Sequence, residues 1–374
     1  MARLEKLLVL AILVFLPSQL AFHWWPSWSL VSGVRVDYLS PTLYFTDLII
    51  IFLLLLAFIN KKLWLPTWLL IVVVAAVINI YFAEIRPLAI YYWLRFSELL
   101  LFGLYIRRTS KLLLGAGLAV GLVWSSVLAL WQFSAQSSIN GWWRFLGERH
   151  FDLTTPGIAK VVLPSGQYLL RAYATLPHPN ALAGYLVIGS ALVYYLYPIL
   201  WRKIKYLWAL VVLAIVASWS RSGIIAGFSI LILNFKNRYL KMAILTLLIA
   251  AFFLPANPTS GVERLQLMKV AINVAAAHPW FGVGLGNFIP TAHYGFQPVH
   301  NIFLLLLTEL GTTLFLPVLI ISVMLFTKAD KPLKIIFMAT IILGLVDHYW
   351  LTLHQTQIIL TILLAQVGLK SRPS

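Results

Sequence analysis

Residues 300–326 read HNIFLLLLTELGTTLFLPVLIISVMLF, with one acid, Glu309, and no Lys or Arg. A helix needs about 20 predominantly apolar residues to cross a bilayer, so this run is long enough to span. The rest of the chain repeats the pattern. Further apolar runs lie at 5–22, 41–60, 64–83, 87–106, 112–133, 180–200, 206–220, 222–235, 242–255, 333–352 and 355–369. The expectation is about twelve transmembrane helices joined mostly by short loops. Across 374 residues the chain is 61% hydrophobic and 10% charged, with a mean hydropathy of +0.91. Soluble domains carry about 25% charged residues. Composition thus excludes a soluble enzyme, a disulfide scaffold and a disordered protein. The fold class expected is all-α, a polytopic helical membrane protein. With no internal repeat, linker or low-complexity tract, residues 1–374 read as a single integral membrane domain.

The chain has 28 Lys and Arg against 11 Asp and Glu, a formal charge of +17. In a soluble protein that balance would suggest nucleic acid. Here the basic residues fall in short runs between apolar segments: Lys61-Lys62, Arg107-Arg108, Arg202-Lys203, and Lys236 with Arg238. That is the positive-inside pattern, and it places both termini in the cytoplasm, with no nucleic-acid partner expected. Arg3 and Lys6 precede the first apolar run. No small-x-small cleavage site follows it, so the run is read as a retained span. The chain has no cysteine, which excludes disulfides, thiolate catalysis and Cys-ligated metals.

The same topology puts all 8 histidines on the outer side, together with Arg171, Arg221 and Arg264. A site there meets substrates on the non-cytoplasmic side, which argues against ATP or soluble nucleotide sugars. The larger outer loops are about 134–179 and 256–299. In the second, Ser260 suits the cap of a helix over 262–277. Its Val262, Leu265, Met268, Ile272 and Ala276 form an apolar stripe suited to lying on the bundle or in the interface. Inside the fourth span, Arg95 and Glu98 share a helix face and read as an intramembrane pair.

Three stretches can carry chemistry. Arg171 precedes His178-Pro179-Asn180. Its planar guanidinium suits phosphate oxygens, although an interfacial Arg also snorkels to headgroups. Trp219-Ser220-Arg221-Ser222-Gly223 lies between two apolar runs. An Arg there is costly unless it meets an anion, a water-filled cavity or an acid such as Asp347. His300-Asn301 stands at the mouth of the long span. A His there can act as a general base near neutral pH or as a hydrogen-bonded interfacial group. Glu309 falls on the opposite helix face, about 13.5 Å deeper, and reads as structural. Gly282-Val-Gly284-Leu-Gly286 follows no strand, so it reads as a tight turn rather than a nucleotide loop. The pairs His348/His354 and His293/His300 lack zinc-site spacing, and no metal site is expected.

Taken together, these motifs resemble the O-antigen ligase and O-antigen polymerase superfamily. The likeness rests on Arg171 with His178-Pro179-Asn180, on Ser220-Arg221-Ser222-Gly223, on Arg264 through Pro279-Trp-Phe-Gly282-Val-Gly284, and on His300-Asn301 with Glu309-Leu-Gly311. It covers about residues 165–315. The resemblance implies a GT-C-like helical fold in the inner (cytoplasmic) membrane. It also implies an inverting, metal-independent glycosyltransferase without cofactors. The donor would be a glycan on a polyprenyl pyrophosphate, and the acceptor a hydroxyl of a lipid-linked or surface glycan, with membrane lipids around both. Arg171 and Arg221 would stabilise the pyrophosphate leaving group, and His300 would take the acceptor proton. His178, Asn180, Arg264 and Asn301 would help to bind substrate. Ligase, polymerase and protein glycosyltransferase remain open within this likeness. The competing class is a transporter or flippase of an anionic solute or lipid-linked sugar, and a third is a non-enzymatic assembly protein.

Overall fold

The computed structural model describes residues 2–203, 205–234 and 258–367. The expected span at 242–255, Lys236 and Arg238 lie outside the described residues. The described chain is mostly helical. Its helices are α1 (Ala2–Val14), α2 (Phe45–Ile59), α3 (Leu69–Tyr81), α4 (Arg86–Ile106), α5 (Lys111–Ala135), α6 (Pro179–Leu196), α7 (Pro198–Lys203), α8 (Lys205–Ala217), α9 (Arg221–Asn234), α10 (Pro258–Ala277), α11 (Phe288–Ala292), α12 (Ile302–Lys328), α13 (Lys331–Val346), α14 (Tyr349–Thr352) and α15 (His354–Ala365). Three of them, α5, α6 and α12, are long and apolar enough to cross a membrane. Among the described residues, shorter apolar helices lie in four of the other expected runs, at α2, α3, Tyr206–Ala217 and α15.

The core is centred on α6, which packs against α5, α8, α9, α13 and α15. Most of its side chains are buried, because small residues on its surface let neighbours approach. A Cβ on Gly189 would lie 2.8 Å from Leu122 of α5. Close backbone approach of this kind is how helices pack where lipid removes the hydrophobic drive.

Several local expectations are corrected. The first run ends as helix at Val14, not near residue 22, because Ala21–His23 pairs antiparallel with Thr42–Tyr44. Two more two-stranded ladders, Leu30–Val31 with Val34–Arg35 and Lys160–Val162 with Tyr168–Leu170, form in loops. The fold is therefore helical with small β elements, not purely α. The α10 helix begins at Pro258, so Ser260 lies inside its first turn. Its buried face is Leu267, Ala271 and Val274, and the Val262, Leu265, Met268 and Ile272 stripe is exposed. Arg95 does not form an isolated pair with Glu98. Its Nη1 donates to Asp47 Oδ2 at 3.0 Å, and its Nη2 meets His354 Nδ1.

The long run at 300–326 is not one continuous helix. Gly311 breaks α12, with φ 64 and ψ 173. The glycine-rich turn fills the break. The Val283 and Gly284 N–H groups donate to the Thr308 and Glu309 carbonyls at 3.0 Å each, and Thr312 and Thr313 donate back to Pro279 and Trp280. Buried Asn79 fastens the joint. Its Nδ2 donates to Glu309 O at 2.8 Å, and its Oδ1 accepts from Leu285 N and Trp93 Nε1 at 2.9 Å each. Glu309 itself faces the turn, accepting from Phe288 N at 3.4 Å. A Cβ on Gly282 would lie 2.5 Å from the Glu309 carbonyl, and one on Gly311 would fall on the Gly282 nitrogen.

Gly311→Ala is therefore expected to destabilise the protein by at least about 1–3 kcal/mol, from the positive φ alone. Thermal unfolding of the purified protein in detergent checks this. An unchanged midpoint would mean that the joint carries no strain for a side chain to meet.

Candidate functional site

The site is built from helix ends. His178 is the N-cap of α6, with its Nδ1 accepting from Asn180 N at 3.1 Å. Pro179 suits the first helical position, where its missing N–H costs nothing. Asn301 caps α12 in the same way, its Oδ1 accepting from Phe303 N and Leu304 N at 3.0 Å each. Its Nδ2 reaches across to Leu345 O at 3.3 Å. Arg264 Nη1 donates to Val346 O at 3.2 Å. Both side chains thus satisfy carbonyls left unpaired at the end of α13.

Asp347 and His348 follow that helix end directly. Asp347 Oδ2 accepts from Asn180 Nδ2 at 3.1 Å, so the acid is bound to Asn180 and not drawn to Arg221. Arg171 joins the same network, its Nη2 donating to Asn180 Oδ1 at 2.7 Å and its Nε to Ser218 O at 2.7 Å. Arg171, Asn180 and Asp347 therefore form one chain of hydrogen bonds between the 134–179 loop, α6 and the end of α13. His300 stands beside it. Its ring centroid is 5.0 Å from that of His348, and its Nδ1 is buried without a partner. His348 Nδ1 is engaged by Thr352 Oγ1 at 2.8 Å.

The electrostatics separate the roles. Burial lowers the pKa of His300; Asp347 and Glu263 oppose that shift, and Arg264 adds to it. Burial likewise pushes His348 down to about 4. Burial would raise the Asp347 carboxyl, but His348, His300, His178 and Arg264 around it hold it below the ordinary carboxylate range. At neutral pH the site thus presents three neutral imidazoles, His178 among them, with the ionised Asp347 and the neighbouring Glu263 set against several guanidiniums. Burial brings Arg171 down to about 10, with Arg264 and Arg221 contributing like charge, and it remains a cation. Arg221 starts α9 with an exposed side chain, close enough for its charge to be felt at Arg171.

His300, Asp347 and His348 each offer one ligand atom, all within 4.8 Å of one another. Three such ligands could hold a divalent ion with an open position. The surroundings favour the opposite charge. Two carboxylates, Asp347 and Glu263, are outnumbered by Arg171, Arg264 and Arg221, and a cation would not relieve that excess. An anion such as a phosphate would relieve it.

Of the residues singled out by sequence, Arg171, His178, Asn180, Arg264, His300 and Asn301 meet at one end of the bundle, with Arg221 at the margin. Sequence reasoning missed Asp347 as Asn180's partner and missed His348 altogether as a site residue. The signal available was an Asp-His pair ending an apolar run. Glu309 lies at the glycine turn and not beside His300. No family model matches this chain, and no curated protein matches it.

Proposed function

We propose that this chain is a membrane glycosyltransferase. It would move a glycan from a polyprenyl pyrophosphate carrier to a hydroxyl of a lipid-linked or surface glycan, as in O-antigen ligation or polymerisation. The observation that carries the reading is the meeting of Arg171, Asn180, Asp347 and His300 at helix ends, with guanidiniums outnumbering the acids. A pyrophosphate leaving group develops negative charge, which fixed cations stabilise without reorganisation. His300 is neutral and beside a carboxylate, which suits a general base for the acceptor hydroxyl. A single displacement with inversion needs no covalent intermediate. In this reading the site faces the non-cytoplasmic side of the inner membrane, and both termini are cytoplasmic.

Two features bear on a transporter instead, the break at Gly311 and the buried Asp47, Arg95 and His354 cluster. Transporters use broken helices to bind solute. Here the groups freed at Gly311 bind the chain's own glycine turn, which leaves them unavailable to a solute.

The test is transfer by the purified protein from a lipid-linked glycan donor in the presence of EDTA. Activity is expected to be unaffected by the chelator. Activity lost with EDTA and restored by a divalent ion would reassign His300, Asp347 and His348 as metal ligands. Absence of transfer, with solute uptake into vesicles, would replace the reading by transport.

A further inference from the structure

The 134–179 loop leaves α5 through a single 3-10 turn, Gly141–Leu146, reading GWWRFL. Two of its rings are displayed rather than packed. Trp142 is 84% exposed and Phe145 is 68% exposed, with centroids 5.6 Å apart. The third faces inward, Trp143 stacking on Trp124 of α5 at 6.1 Å.

The mount beneath these rings is rigid. Glu148 Oε1 accepts from Gln132 Nε2 at 2.7 Å and Ile139 N at 2.8 Å, and its Oε2 accepts from Asn140 N at 2.7 Å. Arg144 is held by Asn140 Oδ1 through Nε at 3.1 Å and Nη2 at 3.0 Å. Gly147 closes the turn at φ 89, against a backbone so near that a Cβ would lie 2.5 Å from Gln19. A loop built this tightly does not leave two large rings in water by looseness.

The position of the turn says what covers them. Leu146 O accepts from Gln19 N at 3.1 Å, and Leu20 O accepts from Phe45 N at 2.9 Å. The turn therefore sits where α1 has ended, α2 begins and α5 ends. The segments that meet there carry further exposed rings: Trp131 near the end of α5, Phe22 in the first ladder and Trp24 just after it. Trp and Phe at the ends of apolar helices belong to the boundary between headgroups and acyl chains.

We propose that the Gly141–Leu146 turn is an interfacial anchor, with Trp142 and Phe145 entering the headgroup–acyl boundary of the leaflet next to the loop. The partner is a lipid surface. The anchor fixes the height of the site, because the same mount reaches it in two bonds. Gln132 Nε2 donates to Ala174 O at 2.8 Å, and Arg149 Nη2 donates to Pro177 O at 2.8 Å, immediately before His178. The proposal rests on the chain spanning a bilayer and not on the transfer reaction.

The chain has no cysteine, so Phe145→Cys can carry a single environment-sensitive fluorophore in the full-length protein. The protein is placed in phosphatidylcholine vesicles whose lipids carry a spin-label quencher near the carbonyl or deep in the chain. Exposed Ile320 on α12 and exposed Ser165 in the hairpin loop serve as Ile320→Cys and Ser165→Cys references. The expected result is blue-shifted emission at 145, quenched more by the shallow label than by the deep one. At 320 the deep label should quench, and at 165 neither should. Trp142→Cys repeats the test at the second ring, should Phe145→Cys not fold. Labels at 145 and 142 that behave like the one at 165, while 320 is quenched, would overturn the anchor alone. An unquenched label at 320 would overturn the spanning reading and the anchor with it. Protection of 145 by a soluble oligosaccharide, without lipid quenching, would reassign the rings to glycan binding.

Discussion

His300→Ala is expected to lower turnover by about 10²–10⁴-fold, the usual contribution of a general base, while binding of the lipid-linked donor persists. The imidazole is placed for the role by geometry first. Its Nδ1 is buried and unpartnered, and its ligand atom lies within 4.8 Å of those of Asp347 and His348. A buried nitrogen without a partner is costly unless something arrives to use it. An acceptor hydroxyl is such a group. Burial lowers the His300 pKa from its ordinary 6.5, so the neutral, base-competent form predominates at pH 7. The pH profile follows in sign. kcat/KM should be flat above 6.5 and fall as pH drops through a value below 6.5, where His300 gains its proton. Asp347→Asn should weaken the reaction without abolishing donor binding, because the imidazolium formed in the transition state loses its carboxylate. His178→Ala should act mainly on stability, by about 0.5–2 kcal/mol, since its ring caps α6. Near-normal transfer by well-expressed His300→Ala would remove His300 from the mechanism and with it the acid limb assigned to it.

Much of this arrangement was legible in the sequence, and the remainder fails for definable reasons. Apolar runs mark where helices form, because a long run without charges has few other ways to satisfy its backbone. They do not mark breaks. Residues 300–326 look continuous in hydropathy, yet Gly311 interrupts the helix, and the cause is a glycine turn folded back from 279–286. Residues of the candidate site that carry local signatures are legible in the sequence. His178 and Asn301 precede helices, and Arg171 and Arg264 are cations with few local partners. Asp347 was placed only as a possible acid for Arg221, because what binds it is Asn180, distant in sequence. The sequence pairs His348 only with His354, because the ring that stands beside it, His300, is distant in the chain. The same limit explains Arg95. Sequence spacing offered Glu98 on its own helix, but the fold brings Asp47 to 3.0 Å. A local pair is visible in a pattern of three or four residues. A tertiary pair is not.

Arg171→Lys is the substitution that separates geometry from charge. The native guanidinium is held twice, Nε on Ser218 O and Nη2 on Asn180 Oδ1, both at 2.7 Å. These bonds use one edge of the planar fork and leave its other donors for an anion. Lys keeps the positive charge but has a single ammonium on a flexible stem. It cannot satisfy Ser218 and Asn180 and still present donors in a fixed plane. Turnover should fall by roughly 10²-fold, corresponding to loss of a transition-state contact of about 2.7 kcal/mol. The backbone around it should hold, because Ala172 N donates to Ala217 O at 3.0 Å independently of the side chain. The fall should therefore appear in kcat with a near-normal melting midpoint. Arg221→Lys should cost less, since that side chain is exposed and acts on the site through its charge. The order of effects is the discriminating result. If Arg171→Lys and Arg221→Lys are equally mild, only the summed charge matters and no planar contact to a pyrophosphate exists. If Arg171→Lys is severe and the loss lies in kcat rather than donor affinity, the fork is aimed at charge that develops as the carrier departs.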